Sequence, residues 1–519
     1  MKMNKYTFKY TLTLLFCMGL GLASCSDRDK EITSVDLDRV LTPYNIQYGL
    51  SNVVDLTLTW QGIEGVDGYI VELYKDSLLF LEENFYDSGE VDSNKFQYTL
   101  DGNTQYSARV KSISTTKGDS KWNGIAFKTS FKSVFLPFEK GDVTVNSIRL
   151  RFPQKTQATN IKLASGSGAV VEREVTAQEL AEGIIDFEDL QSNVLYKATL
   201  YNGEIKIGET SATTIMDGAT IVRPSDNLKE LLEAAEEGDA FLLEQGEYLE
   251  GEVVTLSKSV TIMGTIGGEP IIHGQFEVEN EEGVTRPSIS FKHVILDGLD
   301  QSVEYAVRLV SDKGNYGSVS FEACDIKDYK KSFIGADKIT GEVTTVSIEN
   351  CVVSNILSEG AEAIDIRKGY VGSLLINNST FNNVAPTRSF IRLDDSSSSF
   401  PGKTSLVKIT NCTLHKVADS LKGKGLLYVR FQENSLVFEN NLVTDSEGIF
   451  SKESKTSQPA CGSNNYFNAP NFMEGGAEEK AKVDNGNPTT ADPEYVDAES
   501  GNFKVENGMV QVGDPRWLN

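Results

Sequence analysis

The sequence predicts an all-β chain of two β-sandwich modules followed by a right-handed parallel β-helix with a short N-terminal capping helix. Three observations carry this expectation. Short runs that alternate apolar and polar residues, bounded by turn residues, recur through residues 40–215, as half-buried strands require. A lone amphipathic helical pattern follows at residues 228–235. From Ile289 onward a strand motif returns about every thirty residues, the length of one large solenoid coil.

At the N-terminus, Lys2, Lys5 and Lys9 precede an apolar run, residues 12–22, that is too short to span a bilayer. The run ends in Leu22-Ala23-Ser24-Cys25, which resembles the lipobox of bacterial lipoproteins. That resemblance implies a signal peptide at 1–24 and a lipidated Cys25. Residues 25–39, beginning Ser26-Asp27-Arg28-Asp29-Lys30-Glu31, read as a flexible tether and resemble the acidic surface-export signals of lipoproteins in gram-negative glycan-degrading bacteria. The expected location is therefore the outer membrane, lipid-anchored and facing the exterior. The formal charge of -26 argues against nucleic acid as a partner and makes any basic cluster informative.

Residues 40–129 contain Leu56-Thr57-Leu58-Thr59-Trp60, Tyr69-Ile70-Val71-Glu72-Leu73 and Tyr106-Ser107-Ala108-Arg109-Val110, an all-β sandwich pattern. Trp60 on an early strand, with Leu100 six residues before Tyr106, resembles the fibronectin type III family and its tyrosine corner. Residues 130–215 repeat the plan with Ile148-Arg149-Leu150-Arg151-Phe152, and with Leu190 six residues before Tyr196, but without the tryptophan. Such modules serve as spacers or docking surfaces.

The β-helix is expected over 216–475, closed by a C-terminal segment at 476–519. Ser225-Asp226 can cap the short helix, and Gly238-Asp239-Ala240-Phe241-Leu242-Leu243 follows it. This beginning resembles the capped first coil of the pectate-lyase-like β-helix superfamily. The repeated motif is Ile289-Ser290-Phe291, Val319-Ser320-Phe321, Val346-Ser347-Ile348, Leu374-Leu375-Ile376, Val407-Lys408-Ile409 and Leu436-Val437-Phe438. It places Phe291, Phe321, Ile348, Ile376, Ile409 and Phe438 in an inward core row. Asn350, Asn378, Asn411 and Asn440 fall in a second row, read as a structural ladder at a coil corner. Cys324, Cys351 and Cys412 share one register and suit an inward row; a bridge between Cys324 and Cys351 is permitted but not required. The C-terminal run, with Asp492-Pro493-Glu494-Tyr495 and Gly513-Asp514-Pro515-Arg516-Trp517, resembles the ends of exported β-helix proteins of polysaccharide-utilisation systems, including families labelled as domains of unknown function.

A basic row stands out on this acidic chain: Val307-Arg308-Leu309, Ile366-Arg367-Lys368, Ile391-Arg392-Leu393 and Val429-Arg430-Phe431. Each arginine adjoins an inward-looking aliphatic residue, so alternation turns it outward; Lys338 and Lys452 extend the row. Coils about 4.8 Å apart would stack these side chains into a cationic stripe suited to an acidic polysaccharide, uronic or sulfated. Tyr305, Phe390 and Tyr428 would offer flat faces to sugar rings. Internal pairing with Asp365, Asp394, Asp395 or Glu433 is the structural alternative.

The segment around Glu362, Asp365 and Arg367 also resembles the calcium-holding region of the chondroitinase B and alginate lyase family, and Arg430 resembles its catalytic arginine strand. That resemblance implies calcium at Glu362 and Asp365, with Arg367 and Arg430 as catalytic groups of a divergent lyase. The histidine and glycine that follow the family's arginine are absent, and no match to its Lys-Ser dipeptide is present. The expected partners are an acidic polysaccharide, an outer-membrane lipid anchor and a glycan-uptake complex. A structural or adhesive surface role is the third reading.

Overall fold

Alternation buries Leu56, Leu58 and Trp60 from Asp55–Gln61, and Val71 and Leu73 from Gly68–Tyr74, between two antiparallel sheets of three and four strands. The computed structural model describes residues 38–518 except 52, 53, 130–132, 166, 167, 169, 281–285, 337, 338, 395–398, 421–424, 432 and 478. Cys25 with its lipobox, Lys338 and Asp395 lie outside the described residues. Trp60 meets Tyr69 edge-on at 5.2 Å. The Tyr106 hydroxyl accepts the Asp101 amide at 3.1 Å beside buried Leu100, forming the expected tyrosine corner. The second sandwich pairs a four-stranded with a two-stranded sheet, and Tyr196 accepts the Gln191 amide at 2.9 Å in the same manner.

The capping helix is Leu228–Glu233, with Leu228 and Leu232 buried. Its N-cap is Asn227, whose side chain accepts the Glu230 amide at 3.2 Å. Ser225-Asp226 is not the cap, because Asp226 accepts the Arg223 amide one turn earlier. A ten-stranded parallel sheet then carries the repeated motif. Its register aligns Phe291, Phe321, Ile348, Ile376, Ile409 and Phe438 coil by coil, all buried. The second large sheet divides at the strand Ile271–Val278, whose start pairs with Ile295–Asp297 and whose end pairs with Tyr305–Leu309. Two wings result, and the arginines lie on the one that begins with Tyr305–Leu309.

At one corner of the coil, Asn350, Asn378, Asn411 and Asn440 take φ between 49° and 56°, the left-handed region that asparagine tolerates better than other residues with a side chain. Their side chains do not simply chain together. Asn378 donates to Glu349 at 2.8 Å and Asn411 to Asn377 at 2.9 Å, both one coil back. The true ladder is at the next corner, where Asn383 donates to Asn355 and Asn355 to Asp328, each at 3.0 Å. Cys324, Cys351 and Cys412 are buried free thiols. No bridge joins Cys324 to Cys351; the two thiols turn to the carbonyls of Glu322 and Glu349.

Only part of the C-terminal segment closes the β-helix. Asp484 lies over the last coil, accepting from Asn464 and Tyr466 at 2.8 Å each. Beyond it the chain runs back along the side of the solenoid. Gly513 bonds Asn440, Asp514 bonds Thr413 and Thr380, and Arg516 reaches Asn350. On the way the Gly508 carbonyl accepts the Leu50 amide of the first sandwich at 2.8 Å. The second sandwich also touches the solenoid, where Ile266 packs against its core and Thr213 meets Glu322.

Candidate functional site

The strands Tyr305–Leu309, Ser332–Ala336, Ile364–Ile366, Ile391–Leu393 and Leu427–Val429 pair in parallel and build one outward face. Alternation turns Arg308 and Arg392 outward as expected, but the four arginines do not stack. In register, Arg308 is followed coil by coil by Gly335, Asp365, Arg392 and Tyr428. Arg367, Asp394 and Arg430 each follow the last paired residue of their strands and form a second row beside the first. The expected cationic stripe is thus a checkerboard of opposite charges. Neighbouring coils are about 4.8 Å apart, a spacing at which like charges repel and opposite charges pair.

The pairs are well formed. Arg367 grips Asp365 with two bonds of 2.9 and 2.6 Å and reaches Glu362 at 2.9 Å. Arg392 meets Glu362 at 3.4 Å and Asp394 at 2.5 Å. Arg430 meets Asp394 at 3.1 Å, with Glu453 at 3.6 Å, and Arg308 meets Glu277 at 3.2 Å. The Arg308 and Arg430 side chains keep 35% and 32% exposure, whereas Arg367 and Arg392 keep 17% and 14%. A ligand therefore reaches Arg308 and Arg430 more readily. Glu277 and Glu453 were missed as partners: Glu453 lies in an irregular segment with no periodic signal, and Glu277 is one coil before the first arginine.

Two of the three aromatic platforms are not platforms. Phe390 is wholly buried against Phe381, ring centres 4.8 Å apart, because it turns into the core just before its strand begins. Tyr305 is 4% exposed and lies across Gly335, whose missing side chain makes the room; a Cβ there would come within 2.6 Å of the ring. Arg308 and Lys331 cover that ring at 5.2 and 5.6 Å. Tyr428 stays part-exposed although Arg392 and Arg430 lie over its ring at 5.4 and 5.8 Å.

The carboxylates do not fit calcium. Glu362 is fully buried and its oxygens already face Arg367 and Arg392, while Asp365 is held by Arg367. Among the described residues, no group of three or more His, Cys, Asp or Glu side chains could hold a metal ion. Burial pushes the Asp365 carboxyl up to about 7, with the Glu362 charge adding to it and Arg367 opposing. Glu362 is held below its ordinary value, since Asp365, Arg392 and Arg367 outweigh its own burial. Burial works against the charge of Arg367 and Arg430, yet Asp365 and Glu362 around the first, and Tyr428, Asp394 and Glu453 around the second, hold both guanidinium groups more firmly protonated than usual. Neither is poised to act as a base.

Residues 246–384 match a family described as "Domain of unknown function (DUF4957)" and residues 407–517 one described as "Domain of unknown function (DUF5123)". The β-helix is thus similar to two uncharacterised families. No curated protein matches the chain. Among solved structures, a two fibronectin type III domain segment from chicken tenascin is 16% identical, covers 33% of this chain and 97% of its own, and has a TM-score of 0.25. The FN1–FN3 domains of chicken CNTN1 are 18% identical, cover 34% of this chain and 68% of their own, and have a TM-score of 0.16.

Proposed function

We propose that the protein is a cell-surface lipoprotein, anchored through Cys25 in the outer membrane, that binds polysaccharide on the face running from Arg308 to Arg430. The observation that carries this reading is Tyr428, a part-exposed ring flanked by Arg392 and Arg430 beside Asp394. A sugar can pack against the part of the tyrosine that Arg392 and Arg430 leave exposed while its hydroxyl pairs bridge the guanidinium and carboxylate groups, which are already fixed by one another. The charge balance refines the ligand. Each arginine holds a carboxylate, so a uronate or sulfate must displace Asp394 or Glu453 from Arg430 instead of joining a continuous cationic stripe. This favours a chain whose acidic sugars are spaced among neutral ones, delivered to a glycan-uptake complex in the same membrane.

Affinity electrophoresis against neutral, pectic, alginate and glycosaminoglycan polymers tests this. The wild type is expected to be retained by an acidic heteropolymer, and Tyr428→Ala and Arg430→Ala each to lose at least tenfold in affinity. Formation of unsaturated product would replace the binding reading with the lyase one. The internal pairing of Arg367 and Arg392 favours a second reading, a purely structural or adhesive face. Retention by no polymer of the panel would select it.

A further inference from the structure

The four arginines of the face are not held alike. Arg367 and Arg392, in the middle, share three carboxylates, Glu362, Asp365 and Asp394, and are largely enclosed. The two at the ends are held more loosely. Arg308 meets one carboxylate oxygen among the described residues, Glu277 Oε1 at 3.2 Å, and that oxygen also accepts the Gln275 amide at 2.9 Å. Arg430 bonds Asp394 at 3.1 Å, but its Nε finds no hydrogen-bond partner among the described residues, with Glu453 standing 3.6 Å away. Both end side chains keep about a third of their surface exposed, so donors of each guanidinium remain within reach of a ligand carboxylate.

The register sets the distance between the two ends. Arg308, Gly335, Asp365, Arg392 and Tyr428 follow one another on successive coils, and Arg430 lies two residues beyond Tyr428. Four coil steps of about 4.8 Å place Arg308 about 19 Å along the solenoid axis from Tyr428 and Arg430. A pyranose in an extended polymer advances the chain by close to one coil spacing, so four sugars cover the interval.

The ground between the ends disfavours an acidic sugar. On the first coil after Arg308, Gly335 has no side chain to offer and the Tyr305 ring lies across it. On the second, Asp365 presents a carboxylate whose partner Arg367 is already shared with Glu362. On the third, Arg392 is engaged by Glu362 and Asp394. A negative group over these coils would meet carboxylates before it met an available cation.

We infer that the face measures the interval between acidic sugars: its ligand is a linear heteropolysaccharide lying along the solenoid axis, with one uronate at Arg430, the next uronate four sugars away at Arg308, and neutral sugars between them. This rests on the glycan reading of the same face. It adds a spacing that the reading alone does not require, and a second contact point whose loss weakens long ligands only.

The test is calorimetric titration of the full chain with oligosaccharides from deacylated gellan, a linear polymer with one glucuronate in every four sugars. The octasaccharide, whose two uronates lie four sugars apart, is expected to bind at least tenfold more tightly than the tetrasaccharide, which has one. It should also bind more tightly than a hyaluronan octasaccharide, in which an additional uronate falls over Asp365. Arg308→Gln and Arg430→Gln should each bring the gellan octasaccharide down to the affinity of the tetrasaccharide, with an unchanged thermal unfolding curve showing that at least one variant folds. Equal affinity for the two gellan lengths, equal affinity for the hyaluronan octasaccharide, or an octasaccharide affinity that Arg308→Gln leaves unchanged would each overturn the spacing while the glycan reading stands. Binding to none of these oligosaccharides, with no retention by the polymer panel, would sink both.

Discussion

Asp365 sits between opposing influences. Burial and the adjacent Glu362 raise its carboxyl from an ordinary 3.8 to about 7, while Arg367 pulls the other way. Between those two pH values the folded chain holds a proton that the unfolded chain has released, so this group's contribution to stability falls as pH rises from about 4 to 7. A shift of that size corresponds to at most about 4 kcal/mol. Glu362 has the opposite sign: its folded value is lowered, and its contribution is lost as pH falls below its ordinary 4.5. Urea-unfolding midpoints followed across this range should therefore show Asp365→Asn flattening the decline toward neutral pH. An unchanged decline would place the proton elsewhere. At this scale the sequence offered Asp365 and Asp394 as partners of the arginines but not Glu277, Glu362 or Glu453. Glu362 reads as a free carboxylate until the fold brings Arg392 from the next coil onto it.

The coil repeat was the most legible element, because a parallel solenoid forces equivalent residues into line and the aromatic and aliphatic rows recur in sequence. Phe321 is stacked on Phe291 at 5.3 Å and meets Phe333 edge-on at 6.3 Å, all three fully enclosed. Phe321→Ala is expected to destabilise the β-helix by about 3–5 kcal/mol, measured by urea denaturation, since rigid neighbours on adjacent coils cannot collapse into the cavity. A cost below 1 kcal/mol would mean that the core row relaxes freely. The arginine strands were legible as strands but not in register. Arg308 and Arg392 occupy one outward position, and Arg367 and Arg430 the next. A two-residue offset preserves the inward–outward alternation that sequence can read while changing which outward residues meet across coils.

At the scale of the molecule, the two sandwiches lie against the solenoid instead of holding it at a distance. The returning C-terminal segment makes the connection on one side: Asp514, buried, accepts from Thr380 at 2.7 Å and pairs with Arg516, Trp517 donates to Thr380 at 2.6 Å, and Gly508 receives the Leu50 amide. Asp514→Ala with Trp517→Ala should free this strap, seen in small-angle X-ray scattering as a larger maximum dimension and in limited proteolysis as faster cleavage after residue 490. An unchanged scattering profile would show that the second sandwich alone fixes the arrangement. The sequence by itself determined the all-β class, the order of modules, the tyrosine corners and the inward rows. Each of these depends on local alternation or on a period repeated along the chain. The tertiary structure alone decided that Arg308 meets Glu277, Arg392 meets Glu362 and Arg430 meets Glu453, that Tyr305 and Phe390 are enclosed, and that the C-terminus returns to the first sandwich. These depend on contacts between residues far apart in sequence, whose partners no local pattern specifies.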